Sequence, residues 1–139
     1  MKYLLDTCVI SEIFKPQPNE NVVTWMREND EESMYLSVLT FGEITKGIEK
    51  ASSLAKKKTL QMWLENELKE RFKHRILDID MAVASQWGTI QGKAELAGKL
   101  MPTIDGLIAV SGLVHNCIVV TRNISDMQQS GVTLLNPWE

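Results

Sequence analysis

The chain has 139 residues, 44 % of them apolar and 24 % charged, with a formal net charge of −3. That length suits one domain, and that composition excludes disorder, collagen-like repeats and low complexity. No apolar run approaches the roughly eighteen residues of a membrane helix, and Asp6 comes too early for a signal peptide. We therefore expect a single cytoplasmic domain over residues 1–139, with no membrane partner.

The two cysteines and two histidines form no recognisable metal site. Cys8 and Cys117 make no disulfide framework, and neither His74 nor His115 stands at zinc-ligand spacing from them. We expect both cysteines to be small buried apolar residues. The slightly acidic charge balance does not indicate nucleic-acid binding, but it is compatible with it if several acids surround a metal ion.

Short apolar runs alternate along the chain with amphipathic patterns. The runs predict five strands: Tyr3–Leu5, Met34–Val38, Ile76–Ile79, Cys117–Thr121 and Val132–Leu135. The amphipathic patterns predict the helices between them: Val9–Phe14, Phe41–Ala51, Leu60–Phe72, Met81–Ala97 and Ile104–Val114. Asp80 and Thr103 are the predicted N-caps of the last two helices. Strands separated by helices predict an α/β fold with a parallel sheet covered on both faces.

Four acids stand near predicted strand ends or helix starts, and each has a structural explanation of its own. Asp6 could cap the first helix, and Glu43 could close a capping box with Thr40. Asp105 lies in a first helical turn, where the helix dipole favours negative charge, and Asp126 could be an ordinary turn residue. For each acid taken alone, the structural interpretation is sufficient.

The joint placement of these acids favours a metal site. In a parallel sheet with right-handed crossovers, the carboxyl ends of strands and the N-termini of helices share one edge. Four carboxylates at that edge would repel one another, and a divalent cation would relieve the repulsion. Oxygen ligands suit Mg²⁺ or Mn²⁺, so the pattern predicts a site made of Asp6, Glu43, Asp105 and Asp126.

Four short motifs, in this order, resemble those of PIN-domain nucleases. They are Leu5–Glu12, Leu39–Ile44, Pro102–Ala109, and Val120–Asn123 followed by Asp126. The chain closely resembles the VapC-type toxins of bacterial toxin–antitoxin pairs, and its ending Leu134–Trp138 is similar to that of the FitB-like branch. The resemblance covers essentially the whole chain and implies a three-layer α/β/α sandwich with a central, mostly parallel sheet.

The resemblance also implies an activity and partners. It implies a Mg²⁺- or Mn²⁺-dependent endoribonuclease whose products carry a 5′-phosphate and a 3′-hydroxyl. The enzyme would be a homodimer held inactive by a small antitoxin, and it would reach DNA only indirectly, through that antitoxin.

By position, the resemblance extends to the site residues. The family's three core acids correspond to Asp6, Glu43 and Asp105, and its more variable fourth acid corresponds to Asp126. Its supporting polar residues correspond to Thr7, Thr121 and Asn123. Met127 departs from the pattern, because an aromatic residue usually follows the fourth acid.

Substrate binding would require basic residues. Arg122, beside the predicted site, is the candidate for a phosphate contact. The basic residues between Lys46 and Arg75 are more typical of a solvated helical face.

Four other functions have residue requirements that can be compared with this sequence. A DNA nuclease would use the same metal chemistry, since only contacts to the 2′-hydroxyl distinguish RNA. A PIN-fold module that only docks a partner would lack one of the acids, and none is missing. A haloacid-dehalogenase-type phosphatase needs an Asp where Cys8 stands, and a receiver domain needs a Lys where Arg122 stands, so both are disfavoured.

Overall fold

The computed structural model describes the whole chain, Met1–Glu139. Its elements are β1 (Lys2–Leu5), α1 (Thr7–Ile13), α2 (Glu20–Glu28), β2 (Met34–Ser37), α3 (Val38–Glu49), α4 (Leu54–Trp63), α5 (Lys69–Arg71), β3 (Ile76–Leu77), α6 (Met81–Leu96), α7 (Thr103–Val114), β4 (Cys117–Val120), α8 (Ile124–Met127) and β5 (Leu134–Leu135). A π-helical turn, Leu64–Leu68, joins α4 to α5. None of the helices has both the length and the apolar character needed to span a membrane.

The strands form one sheet in the order β3-β2-β1-β4-β5, and every pairing in it is parallel. β1 lies at the centre, where Leu5 is paired with Val120 of β4. The residues that follow this pair, Asp6 and Thr121, therefore leave the sheet side by side at its carboxyl edge. The prediction of a parallel sheet is confirmed.

The two central residues of β1 show that both faces of the sheet are covered. Leu4 and Leu5 are fully buried and point to opposite faces, because side chains alternate along a strand. Leu5 packs with Val9 of α1 and Ile48 of α3. Leu4 packs with Ile108 of α7 on the other face. The chain is therefore a three-layer α/β/α sandwich, as predicted.

The predicted capping box between Thr40 and Glu43 is wrong. Helix α3 begins at Val38, and its N-cap is Ser37, whose Oγ accepts a hydrogen bond from the backbone N–H of Leu39 at 3.1 Å. Because β2 passes directly into α3, the cap falls on the last residue of the strand. Thr40 and Glu43 are both inside the helix and are free for other contacts.

The predicted N-cap at Thr103 is also wrong, whereas that at Asp80 is confirmed. Thr103 is the first helical residue of α7, and the cap position is Pro102, which has no side chain able to accept a hydrogen bond. The first turn of α7 instead carries Asp105, a negative charge that the helix dipole favours. Asp80 Oδ1 accepts from the backbone N–H of Val83 at 3.0 Å.

Two helical segments differ from the prediction. Helix α2 was not predicted, although Asn19 caps it by accepting from two backbone N–H groups. The helix predicted over Leu60–Phe72 begins earlier, at Leu54, and is interrupted by the π-helical turn Leu64–Leu68. Both leucines that bound this turn are buried in the core.

Cys117 is buried as expected, whereas Cys8 is less buried than expected. Both are free, Cys117 is buried and Cys8 is half-buried. Burial, and then the charge of Asp6, raise the pKa of the Cys8 thiol to about 11, so it stays protonated at neutral pH. Met127, which departs from the family motif, is fully buried in the cluster that contains Leu4. The methionine therefore fills apolar space in the core.

Candidate active site

Asp6 stands at the carboxyl end of the central strand, and both oxygens of its carboxylate accept hydrogen bonds. Its side chain is 2 % exposed. Oδ1 accepts from the backbone N–H of Thr7 at 2.8 Å, which makes Asp6 the N-cap of α1. Oδ2 accepts from Thr121 Oγ1 at 2.8 Å, across the β1–β4 pairing. The predicted capping role is confirmed, and the same hydrogen bonds fix the orientation of this carboxylate at the sheet edge.

A chain of hydroxyl groups positions Glu43. Thr7 Oγ1 donates to Glu43 Oε1 at 2.6 Å, and it lies 2.9 Å from Thr40 Oγ1. A hydroxyl has one proton to donate, so Thr7 donates to Glu43 and accepts from Thr40. Thr40 is fully buried, and its contribution to the site was not predicted, because it was assigned to the capping box. The position of Thr40, one helical turn before Glu43, was the sequence signal that could have predicted this contact.

Asp105 is half-buried in the first turn of α7, and its charge is unfavourable there. Its pKa is raised from 3.8 to about 6, first by burial and then by the charges of three other carboxylates: Asp6, Asp126 and Glu43. Each of these acids comes from a different part of the chain. The structure therefore brings the other three predicted acids within electrostatic range of Asp105.

Asp126 acts on Asp105 through its charge but does not line the cavity that the other three acids share. A cavity of about 340 Å³ at the sheet edge is lined by Asp6, Glu43 and Asp105, but not by Asp126. Asp126 belongs to α8, and its backbone N–H donates to the carbonyl of Asn123 at 3.2 Å.

The loop after β4 is organised by Thr121. Its Oγ1 donates to Asp6 and accepts from the backbone N–H of Asn123 at 2.9 Å. Asn123 lines the acidic cavity. Thr7, Thr121 and Asn123 are thus in contact with the acids or their cavity, and their supporting roles stay predictions.

Two cations face the acids across the cavity. Arg122 lines it, and its guanidinium lies 4.7 Å from the ring centroid of Trp138. Lys15 also lines it, and its Nζ lies 2.9 Å from Glu12 Oε1. The hydrogen bond from Lys15, followed by one from the backbone of Asn19, lowers the pKa of Glu12. Arg122 was predicted; Lys15 and the stacking on Trp138 were not.

The donor set fits a hard divalent cation held partly through water. All the acidic donors are carboxylate oxygens, which Mg²⁺ and Mn²⁺ prefer. No three acidic, histidine or cysteine side chains stand close enough to enclose a metal ion directly. Mg²⁺ characteristically keeps several water ligands and uses only one or two carboxylates. Burial, and then repulsion by the other three acids, raises the pKa of Asp105. A bound divalent cation would relieve that repulsion.

Comparison with known proteins identifies the family of the chain. The PIN domain family model matches residues 3–127. The chain is 38 % identical over 135 residues to toxin FitB of Neisseria gonorrhoeae, covering 97 % of each chain. It is 31 % identical over 136 residues to VapC ribonuclease Y4jK of Sinorhizobium fredii, covering 98 % of this chain and 97 % of the relative.

Solved structures agree as well. The FitAcB crystal structure from Neisseria gonorrhoeae superposes with a TM-score of 0.93 at 37 % identity, covering 99 % of each chain. DNA-bound VapBC from Salmonella typhimurium superposes with a TM-score of 0.79 at 26 % identity, covering 100 % of this chain and 99 % of that one. The chain belongs to the PIN-domain family, in the group that includes the FitB and VapC toxins.

Proposed function

We propose that the chain is a Mg²⁺- or Mn²⁺-dependent endoribonuclease and the toxin of a toxin–antitoxin pair. The observation that carries this proposal is the gathering of three carboxylates, Asp6, Glu43 and Asp126, whose charges act on a fourth, Asp105, at the carboxyl edge of the sheet. The relative named VapC ribonuclease, which aligns over nearly the whole chain, supports RNA as the substrate. We propose the cytoplasm as its location, because its RNA substrate is found there.

Asp6 and Asp105 are the residues that would hold the metal ion, with Glu43 and Asp126 completing its surroundings. When bound, a divalent cation stabilises negative charge on the scissile phosphate and activates water. Asp6 cannot rotate, because both of its oxygens accept hydrogen bonds. Asp126 acts from outside the cavity through its charge, rather than as a direct ligand.

Glu43 is the carboxylate best placed to orient the attacking water. Thr7 occupies Oε1, so the second oxygen is the one available to accept a proton from water. Water oxygen attacks phosphorus and its proton passes to Glu43, while the bond from phosphorus to the 3′-oxygen breaks and that oxygen takes a proton from solvent water. The products are a 5′-phosphate and a 3′-hydroxyl. Arg122 and Lys15 line the same cavity and can bind the non-bridging phosphate oxygens.

The proposed partners are a second copy of the chain, to form a homodimer, and a cognate antitoxin. Support comes from the toxin named FitB and from the DNA-bound VapBC structure. Because the similar structures of FitAB and VapBC are complexes bound to DNA, we assign DNA contact to the antitoxin.

The test is metal-dependent cleavage by the purified, antitoxin-free chain. Total RNA and single-stranded DNA are incubated separately with Mg²⁺, Mn²⁺ or EDTA. We expect RNA to be cut only with metal, and Asp105→Asn to lower the rate about a hundredfold or more. Asp78→Asn is the matched control, because Asp78 is exposed and does not line the cavity.

Two results would contradict the proposal, and each would favour a different function. Cleavage of DNA alone would identify a DNA nuclease with the same metal chemistry. Failure of both Mg²⁺ and Mn²⁺ to bind in titration calorimetry, together with no cleavage, would leave a module that acts only by docking its partner.

A further inference from the structure

Glu12 is a nearly buried acid with no part in the proposed chemistry. It lines the acidic cavity beside Asp6, Glu43 and Asp105, yet it is only 5 % exposed. It also lies in the last turn of α1, where the helix dipole disfavours a negative charge. A charge in such a place destabilises the fold unless nearby donors compensate it, so the partners of Glu12 indicate what it does.

Both oxygens of the Glu12 carboxylate accept hydrogen bonds. Oε1 accepts from Lys15 Nζ, and Oε2 accepts from the backbone N–H of Asn19, both at 2.9 Å. The bond from Lys15, followed by that from Asn19, holds the pKa of Glu12 below its usual value, so the carboxylate is charged at neutral pH. The bond from Asn19 fixes the direction of the carboxylate, and Oε1 therefore stays turned towards Lys15.

Lys15 depends on Glu12 for its place at the cavity. Its side chain is 56 % exposed and follows the end of α1, and its ammonium donates to no other residue. A lysine side chain samples many rotamers unless a partner fixes it. Arg122, the other cation that lines the cavity, has a different support, because its guanidinium packs on the ring of Trp138. Glu12 is thus the support of Lys15, as the indole is of Arg122.

The ion pair with Lys15 distinguishes among the roles that Glu12 could have. An anchor for the loop before α2 would need only an acceptor for Asn19, and a neutral side chain could supply it. A further metal ligand would not be bonded to an ammonium, because the ammonium would repel the ion. Glu12 also differs from the four acids of the site, none of which forms an ion pair with a lysine or arginine.

Glu12 and Lys15 together bring a fixed positive charge to the wall of the acidic cavity. An RNA strand offers a phosphate at every nucleotide, and a fixed ammonium binds a phosphate oxygen with less loss of side-chain entropy than a free one. We propose that Glu12 is a positioning residue, which holds the Lys15 ammonium where an RNA phosphate enters the acidic cavity. This inference rests on the proposed function and adds to it a residue that prepares the site for its substrate.

Neutralising Glu12 has opposite effects under the two possible roles of its charge. An anion that was merely near the RNA would repel it, so Glu12→Gln would tighten RNA binding. An anion that positions Lys15 releases the ammonium when it is neutralised, so Glu12→Gln would weaken RNA binding. The glutamine keeps an oxygen that can accept from the backbone N–H of Asn19, and the loop before α2 therefore stays anchored.

The test measures the affinity of RNA rather than its cleavage. The probe is a short, fluorescein-labelled single-stranded RNA of random sequence, and fluorescence anisotropy in Mg²⁺ gives its Kd at several salt concentrations. All variants are made in an Asp105→Asn background, so that bound RNA is not cut. They are Glu12→Gln, Glu12→Asp, Lys15→Gln and the double variant Glu12→Gln/Lys15→Gln. Glu65→Gln is the matched control, because Glu65 accepts from Lys69 at 2.8 Å and does not line the cavity.

We expect Glu12→Gln and Lys15→Gln each to raise Kd about threefold to tenfold, as for loss of one charged hydrogen bond. Each should also lower the slope of log affinity against log salt by about 0.7, the value for one phosphate contact on a single strand. The double variant should bind within about twofold of Lys15→Gln, because the two residues act as one unit. Glu65→Gln should bind like its parent, and circular dichroism checks that each variant is folded.

Glu12→Asp separates position from charge, and it serves as the second variant if Glu12→Gln does not fold. It keeps the negative charge but withdraws it from Lys15 by one methylene group. A positioning role predicts weaker RNA binding in Glu12→Asp, whereas an anion that only repels RNA predicts no change.

Three results would overturn the proposal. They are unchanged or tighter RNA binding in Glu12→Gln, an unchanged salt slope in Lys15→Gln, and a loss in Glu12→Gln that persists in full when Lys15 is already replaced. These outcomes are separable from those for the proposed function. RNA that shows the expected changes in Kd but is never cut by the unsubstituted chain would overturn the nuclease proposal alone. RNA that is cut while no variant changes Kd would overturn the role of Glu12 alone.

Discussion

At the level of single residues, the charge on Asp105 destabilises the metal-free fold. Its pKa is about 6 in the folded chain against 3.8 for an unperturbed carboxyl, so the folded state binds more protons between those values. The free energy of unfolding therefore falls as pH rises through this window. At neutral pH Asp105 is charged, and the full loss of folding stability is present. Below about pH 4 the carboxyl is protonated, and this loss is absent.

Asp105→Asn should accordingly stabilise the metal-free protein. We expect a gain of about 1–2 kcal/mol at pH 7 in EDTA, after allowance for solvent screening of a half-buried group. The gain should disappear near pH 4. Urea unfolding of both proteins at the two pH values measures it, and an equal stability at pH 7 would contradict the repulsion described for the four acids.

Thr7 acts on catalysis through Glu43. Thr7→Val removes the hydroxyl at nearly constant volume, leaving Glu43 Oε1 and Thr40 Oγ1 without their partner. We expect kcat for RNA cleavage to fall about tenfold with KM little changed, as for loss of one hydrogen bond to a charged group. Thr7→Ser should restore most of kcat. Thr45→Val is the control, since the Thr45 hydroxyl bonds only to the carbonyl of Phe41 within α3.

At the level of elements, the close approach of α7 to the sheet determines where Asp105 stands. Gly112 of α7 lies against β4, and a Cβ there would collide with Val119 Cγ2. Val119 is fully buried and β-branched, so it has little freedom to move away. The absence of a side chain at Gly112 thus allows the helix to contact the strand.

Gly112→Ala should destabilise the fold by about 1–3 kcal/mol through overpacking. Gly92→Ala, in the open part of α6, should do the opposite and stabilise by about 0.5–1 kcal/mol through helix propensity. Chemical denaturation of both variants compares them directly. A stabilised Gly112→Ala would mean that α7 can shift away from β4 at little cost.

The C-terminal segment after β5 acts on the site through Arg122. Trp138 lies under the guanidinium, and its carbonyl accepts from Asn21 Nδ2 at 2.8 Å, which ties the segment to α2. We expect Trp138→Ala to raise KM for RNA about threefold to tenfold, with kcat nearly constant, because one cation–π contact is lost. Trp138→Phe should raise KM less than Trp138→Ala, because a phenyl ring keeps part of the cation–π contact. A change confined to kcat would show that Arg122 acts on the chemical step instead.

At the level of the whole molecule, metal binding and folding are linked. A ligand that binds only the folded state at about a hundred times its Kd stabilises by about 2.7 kcal/mol, which raises Tm by roughly 5–10 °C in a protein of this size. We expect Mn²⁺ to raise Tm by this amount and EDTA to reverse it. Asp105→Asn should lose most of the rise, and Asp78→Asn should keep it. Equal rises in Tm for the two variants would show that the ion binds elsewhere.

Much of the architecture could be predicted from the sequence, because parallel strands buried on both faces have continuous apolar runs. Capping at Asp80 and the alternation of strands and helices followed from local signals. The capping box at Thr40 was wrong because local pattern cannot show that β2 enters α3 without a loop. The positions of Asp6, Glu43 and Asp105 were predictable from strand ends and motifs. The position of Lys15 was not, since it depends on how α1 packs against distant elements.

The central position of β1 has a consequence for the timing of synthesis. The strand that leaves the ribosome first has its neighbours at Met34 and, much later, at Cys117–Val120. Asp6 gains its bond from Thr121 only when that last neighbour has been made. A growing chain therefore has no assembled acidic site until β4 and Thr121 have been translated, and any fragment that stops before β4 lacks the hydrogen bond that supports Asp6.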